Sequence, residues 1–152
     1  MPSVFVLNGP NLNLLGTRRP EVYGHTSLDE VEQMCRAEAE GLGLELLFRQ
    51  SNHEGELVDW IQEAGREVKA GRAIGAVLNP AGLTHHSVPL HDAVEGVEVP
   101  VIELHISNIH RREEWRHHSY ISLVASGIVM GLGVVGYPVA INALYRLSQQ
   151  KA

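Results

Sequence analysis

The chain has 152 residues, of which 44% are hydrophobic, so it is long enough to bury one proper core. No uninterrupted apolar stretch reaches membrane length, so no span is expected. Its 18 acidic against 12 basic residues, a formal charge of −6, argue against general nucleic-acid binding.

In chain order, Val4-Phe5-Val6-Leu7 predicts a buried strand over about 3–8. Residues 8–25 follow, reading NGPNLNLLGTRRPEVYGH. Asn8, Gly9, Pro10 and Asn11 are turn formers, and Gly16, Pro20 and Gly24 argue against regular structure in the loop at about 10–24. Long loops in compact domains are usually functional, so this one is expected to act as a lid. Arg18 stands five residues before Tyr23. A free tyrosine has a pKa of about 10. A guanidinium nearby would favour the phenolate and make the side chain a base. Taken alone, the segment reads rather as a solvated loop with an aromatic plug and two surface charges.

Ser27-Leu28-Asp29-Glu30 predicts a capping box and a helix start. The lone Cys35 shares a helical face with Leu28, Val31 and Leu42 and reads as core filler rather than a nucleophile. Apolar runs at about 44–49, 73–79, 99–105 and 127–131 predict four further strands. Leu57, Trp60, Ile61, Ala64 and Val68 form one amphipathic helical stripe. A shorter helix is expected over 87–95 and a last one over 138–149, with Pro138 in its first turn. Continuous apolar strands alternating with helices predict a parallel sheet covered on both faces, in a single domain over 1–152.

The polar residues have a pattern of their own. Asn8 to Asn11, Ser51-Asn52-His53, Asn79-Pro80-Ala81-Gly82 and His105-Ile106-Ser107-Asn108 each follow a predicted strand. Ligands of open parallel sheets bind beyond the carboxyl ends of the strands, so these groups should share one edge. Positive charge clusters at Arg18 and Arg19, and again at Arg111, Arg112 and Arg116.

Other motifs are weaker. Gly131-Leu132-Gly133-Val134-Val135-Gly136 fits GxGxxG, but no second strand or acidic ribose partner follows at the usual ~20 residues. Its glycines are read as close packing and a strand-to-helix turn. The nine histidines lack an HExxH spacing, there is no cysteine pair, and no metal is expected. Only Lys69 and Lys151 are present; the first falls near a helix end and the second is penultimate. Neither position suits a desolvated Schiff-base nucleophile, so a ketone substrate would be activated without an imine.

The signatures NGPNL, LG, RRP and YG resemble the N-terminal pattern of the type II 3-dehydroquinate dehydratases. The likeness continues through RQSNHEGELVDWI at 49–61, LNPAGLTHHSVPLHDA at 78–93, IELHISNIHRREEWRHHSY at 102–120 and SGIVMGLGVVGY at 126–137. One departure is Arg19, where the family often has Glu. Arg18 keeps the family's offset from the tyrosine.

The resemblance implies a flavodoxin-like α/β fold with strand order 2-1-3-4-5. It implies dehydration of 3-dehydroquinate to 3-dehydroshikimate through an enolate, without a cofactor, in the shikimate pathway or in quinate breakdown. On this likeness Tyr23 removes the proton alpha to the ketone, Arg18 lowers its pKa, and Asn11 helps hold a water against the enolate oxygen. His105 donates a proton to the departing hydroxyl, and Glu103 orients and charges that histidine. Strand alternation puts Glu103 and His105 on one face. Asn79, His85 and Arg116 match substrate-contacting positions, and Ile106 and Ser107 match the pair whose amides hold the substrate carboxylate. Asp92 matches an aspartate given to the site by a neighbouring subunit in a dodecamer built from trimers. A cytoplasmic location is expected, with neither nucleic-acid nor membrane partners. Two other classes use the same scaffold: a noncatalytic small-anion binding module, needing neither Tyr23 nor His105, and a flavin or nucleotide enzyme.

Overall fold

The apolar run of the first strand is buried from both sides: Val4, Phe5, Val6 and Leu7 are all fully inaccessible. In the computed structural model, which describes residues 1–17 and 19–150, with Tyr23 described by its backbone, this strand lies inside a five-stranded sheet. The strands are β1 (Ser3–Asn8), β2 (Glu45–Gln50), β3 (Ala73–Asn79), β4 (Val101–His105) and β5 (Gly127–Met130). They are all parallel and run in the order β2-β1-β3-β4-β5. The crossovers from β1 to β4 carry helices, and the one from β4 to β5 is built of 3-10 turns alone.

Five helices accompany the strands: the single turn α1 (Pro20–Tyr23), α2 (Leu28–Gly41), α3 (Glu54–Lys69), α4 (Val88–Val97) and α5 (Gly136–Gln150). Side chains alternate across the sheet. Val4, Val6, Val77 and Leu104 therefore pack with Val31, Cys35, Ile141 and Leu144 of α2 and α5. Phe5, Leu7, Ala76 and Leu78 pack with Leu57, Ile61, Leu90 and Val94 of α3 and α4. Two cores hold one sheet between four helices, and its carboxyl edge becomes a platform for the site.

The local signals act as their chemistry dictates. Ser27 and Glu30 close the capping box on α2. Cys35 is fully buried, and burial is the main cause of its thiol being pushed up to about 12. Ser87 stands outside α4 as its cap, its Oγ accepting from Leu90 N at 3.0 Å, and the helix runs past the expected 95 to Val97. The last helix begins at Gly136, two residues before the expectation, because Pro138 needs no amide partner in a first turn.

The segment at 10–24 holds more regular structure than its breakers suggested. It contains a 3-10 turn, Leu12–Leu14, and the helical turn α1, where Pro20 presets the first φ. The GxGxxG segment is accounted for by packing. Gly131 and Gly133 take φ of 85° and 63° between β5 and α5, and a Cβ on Gly136 would lie 2.9 Å from Leu104.

Candidate active site

The carboxyl ends of β1, β3 and β4 border one cleft of about 780 Å³, measured out to its open mouth. Its lining includes Pro10, Asn11 and Leu12 after β1, Asn79, Ala81, Gly82 and His85 after β3, and His105, Ile106 and Ser107 from β4 onward. Ile109, Arg112, Trp115 and Arg116 complete it from the turns that follow β4.

β4 ends on Glu103-Leu104-His105, and Leu104 turns into the core while its neighbours share the opposite face. His105 Nε2 and Glu103 Oε2 are 2.5 Å apart, with Glu103 fully buried and His105 only 5% exposed. Glu103 lies behind the histidine. Three hydroxyls surround its carboxylate: Ser119 donates to Oε2 at 2.8 Å and Ser122 to Oε1 at 2.5 Å, while Thr84, 3.3 Å from Oε2, stands 2.5 Å from the Ser119 hydroxyl and donates to it. Burial pushes the Glu103 carboxyl upward, but the bonds from His105, Ser122 and Ser119 outweigh it and hold the group below the usual carboxylate range. Glu103 is thus a buried anion with a full set of donors.

His85 bonds through Nδ1 to the His118 carbonyl at 2.9 Å, so Nδ1 carries the proton and Nε2 is left as an acceptor. Burial lowers its pKa, and the nearby charges of Arg116, His105 and Arg112 add to the effect against the His118 carbonyl. The ring is therefore neutral at neutral pH. Arg116 stacks over the Trp115 ring at 4.1 Å and donates through Nε to Glu113 at 2.7 Å. Arg112 donates to Ser107 Oγ at 3.3 Å.

Asn11 has φ 71°, a left-handed conformation that asparagine tolerates better than most residues. Its amide donates to Asn52 Oδ1 at 2.9 Å, which ties the start of the loop to the end of β2. Gly9 lets the same segment lie against the turn after β3, since a Cβ there would stand 2.6 Å from the Pro80 carbonyl.

Of the residues expected from sequence, the cleft brings together Asn11, Asn79, His85, His105, Ile106, Ser107 and Arg116. Asp92 is not among them: it is exposed on α4, its Oδ1 2.8 Å from His91 Nδ1. Arg18, the Tyr23 side chain and Lys151 lie outside the described residues. Lys69 is exposed at the end of α3, and the described lining contains no lysine. Sequence reasoning placed Arg112 in a positive cluster but not in the cleft, and it missed Trp115. Both sit on 3-10 turns, which leave no periodic signal. The Thr84, Ser119 and Ser122 hydroxyls also escaped it, because they reach Glu103 from segments 16 to 19 residues away.

Comparison with known proteins agrees with the geometry. The family described as Dehydroquinase class II matches residues 2–145. A 3-dehydroquinate dehydratase of Variovorax paradoxus (strain S110) is 61% identical over 144 residues, covering 95% of this chain and 99% of the relative. The crystal structure of type II dehydroquinase from Butyrivibrio crossotus DSM 2876 superposes with a TM-score of 0.89 at 39% identity, covering 94% of this chain and 97% of that one. The type II dehydroquinase of Propionibacterium acnes gives a TM-score of 0.87 at 37% identity, covering 98% and 97%. The strand order, the flavodoxin-like architecture, the cleft at the carboxyl edge and these likenesses converge: the chain belongs to the class II dehydroquinase family, the type II 3-dehydroquinate dehydratases.

Proposed function

We propose that the cleft dehydrates 3-dehydroquinate to 3-dehydroshikimate and water through an enolate, with no imine and with side chains as the acid and the base. The observation that carries the division of labour is the buried Glu103–His105 pair at the end of β4. Tyr23, as phenolate, takes the proton alpha to the ketone, and Arg18 favours that phenolate. The electrons move onto the ketone oxygen, where a water held by Asn11 donates to the enolate. The enolate then re-forms the carbonyl, the carbon–hydroxyl bond breaks, and His105 supplies the proton that turns the departing hydroxyl into water. Its Nε2 is engaged by Glu103, so Nδ1 is the nitrogen that faces this task. Glu103 orients the ring and balances its positive charge before the proton leaves. Returning the Tyr23 proton to His105 through solvent closes the cycle.

The remaining contacts divide by chemistry. Neutral His85 accepts from a substrate hydroxyl through Nε2, and Asn79 and Arg116 hold further oxygens. The amides of Ile106 and Ser107, just beyond β4, take the carboxylate. Residues 10–24 close over the bound substrate and bring Arg18 and Tyr23 to it. Asp92 serves the site of a neighbouring chain in a dodecamer of trimers. Exposed Leu123, Ile128, Leu132, Val135 and Val139 around the edge strand β5 support assembly, since apolar surface of this kind and an unpaired edge both favour burial. No helix of the described residues is long and apolar enough to cross a membrane, and a cytoplasmic location belongs to the same reading.

The test is the ultraviolet absorbance of the conjugated enone, followed beside exchange of the alpha proton with solvent. Tyr23→Phe should lose both signals. His105→Ala should lose dehydration by about 10²–10⁴ while keeping more of the exchange. Near-normal turnover by Tyr23→Phe would remove it as the base.

A further inference from the structure

Behind the cleft lies a polar chain of which the reaction scheme uses only one member, Asn79. Tyr137, the second residue of α5, is completely buried in the apolar layer beneath α2 and α5, yet its hydroxyl reaches two asparagines at the ends of neighbouring strands. It donates to Asn8 Oδ1 at 2.7 Å and accepts from Asn79 Nδ2 at 2.9 Å. Asn8 and Asn79 are register partners across β1 and β3 and are themselves 0% and 3% exposed. Each outer end is fixed by backbone: Asn8 Nδ2 donates to the Arg49 carbonyl at 3.0 Å, and Ala81 N donates to Asn79 Oδ1 at 3.1 Å.

The two anchors give the chain one direction. A carbonyl can only accept, so the nitrogen of Asn8 faces Arg49 and its oxygen faces Tyr137. A backbone N–H can only donate, so the oxygen of Asn79 faces Ala81 and its nitrogen faces Tyr137. The phenol has one hydrogen. It must give that hydrogen to Asn8 and receive one from Asn79; reversing any member leaves two donors or two acceptors face to face in a buried place. Burial further pushes the Tyr137 hydroxyl's pKa upward, so the hydrogen stays on it.

We infer that Tyr137 is a positioning residue for substrate binding, which locks the amide of Asn79 so that its second N–H, a donor, is presented to an oxygen of the substrate. Without the phenol, the Asn79 side chain can rotate or turn an acceptor toward an anionic ligand. The inference rests on the reading that Asn79 contacts substrate.

The experiment is steady-state kinetics on Asn79→Ala, Tyr137→Phe and the double variant, with folding of each checked by thermal melting. Asn79→Ala and Tyr137→Phe should each raise KM by about five- to tenfold, the worth of one ordinary hydrogen bond, with kcat within about twofold. In the Asn79→Ala background, Tyr137→Phe should add less than about twofold, because its route to the substrate is already gone. Asn8→Ala frees the phenol to rotate without touching the cleft. It should raise KM in the same sense, and it serves where Tyr137→Phe does not fold. If Asn79→Ala raises KM but the other changes leave it alone, or if their effects multiply, the positioning role is overturned and the Asn79 contact survives. If Asn79→Ala itself leaves KM unchanged, the contact falls and the positioning role falls with it.

Discussion

Replacing Glu103 with Gln separates the charge of the buried acid from its shape. The side chains are nearly isosteric, and the donors are unevenly shared: His105 and Ser119 reach Oε2, whereas Ser122 reaches Oε1. A glutamine can therefore keep its oxygen at the crowded position and turn its amide toward Ser122, whose hydroxyl rotates to accept. The fold should survive. Each bond to an ionised oxygen exceeds its neutral counterpart by about 1 kcal/mol. Losing that advantage at all of these donors is partly offset by no longer burying a charge, a term of several kcal/mol. A net loss of about 1–2 kcal/mol at pH 7 follows, or roughly 2–8 °C in Tm for a domain of this size. Because the fold holds the Glu103 carboxyl below its ordinary value of 4.5, its ionised form contributes stability above that pH. The contribution is lost as pH falls through the folded value. The gap between wild type and Glu103→Gln should thus be widest at neutral pH and shrink below about 4.5. Turnover responds differently on the proposed role of His105 as the acid, whose ring loses its charged partner: kcat should drop by about tenfold from charge assistance alone, and further from lost through-space attraction. Melting curves from pH 7 to 3.5 and the enone assay measure both. A stability gap that does not change with pH, or a kcat within about threefold of wild type, would refute the role given to the ionised acid.

The other expectations concern the loop, the assembly and the thiol. Proteolysis near Arg18–Arg19 should slow when a substrate analogue is added; equal cleavage with and without it would count against a lid. Asp92→Ala and Tyr23→Phe chains, each poor alone, should regain activity when dissociated and reassembled together, because some mixed sites then hold both intact residues; no recovery in verified mixed oligomers would remove the shared site. Cys35 should react with aqueous thiol reagents only as fast as the protein opens, given its complete burial and a pKa pushed up to about 12. Rapid labelling of the native protein at pH 8 would contradict that.

The sheet was legible because its central strands are buried on both faces, which forces unbroken apolar runs such as Val4–Leu7 and Ala76–Leu78. The helices showed in the Leu57, Ile61 and Ala64 spacing and in the Ser27 capping box. The location of the cleft followed from where Asn and His stand relative to strand ends. Glu103 and His105 could be paired because a strand repeats every second residue. What could not be read depends on distant segments meeting. Nothing near Ser119 or Ser122 announces a carboxylate partner, and nothing near Tyr137 announces two asparagines, one of them 129 residues away. The turns over 109–116 have no period at all, so the arrival of Arg112 and Trp115 at the cleft is visible only after folding.

An acidic chain serving an anionic substrate needs its charge sorted in space. The total of −6 says little about the field at the carboxyl edge, because the carboxylates near it are already spoken for. Glu103 lies beneath the floor, its charge matched to His105 and three hydroxyls. Glu113 stands outside the lining, its oxygens 2.7 Å from Arg116 and 3.6 Å from Arg112, and these contacts hold it below the usual carboxylate range, the Arg116 bond foremost. The lining itself carries two arginines and two histidines and no carboxylate among its described residues. Exposed Asp and Glu elsewhere are screened within about 10 Å at ordinary ionic strength, whereas Arg112 and Arg116 act at contact distance in a partly enclosed cleft. The local field therefore wins over the global one, and the same arrangement gives a direct handle. Glu113→Gln would leave Arg116 with less opposing charge beside the substrate. It should lower KM modestly, by about two- to threefold, without changing kcat, as expected for an interaction equal in ground and transition states. A rise in KM would instead show that Glu113 acts chiefly by holding Arg116 in place, and that geometry rather than net field limits binding there.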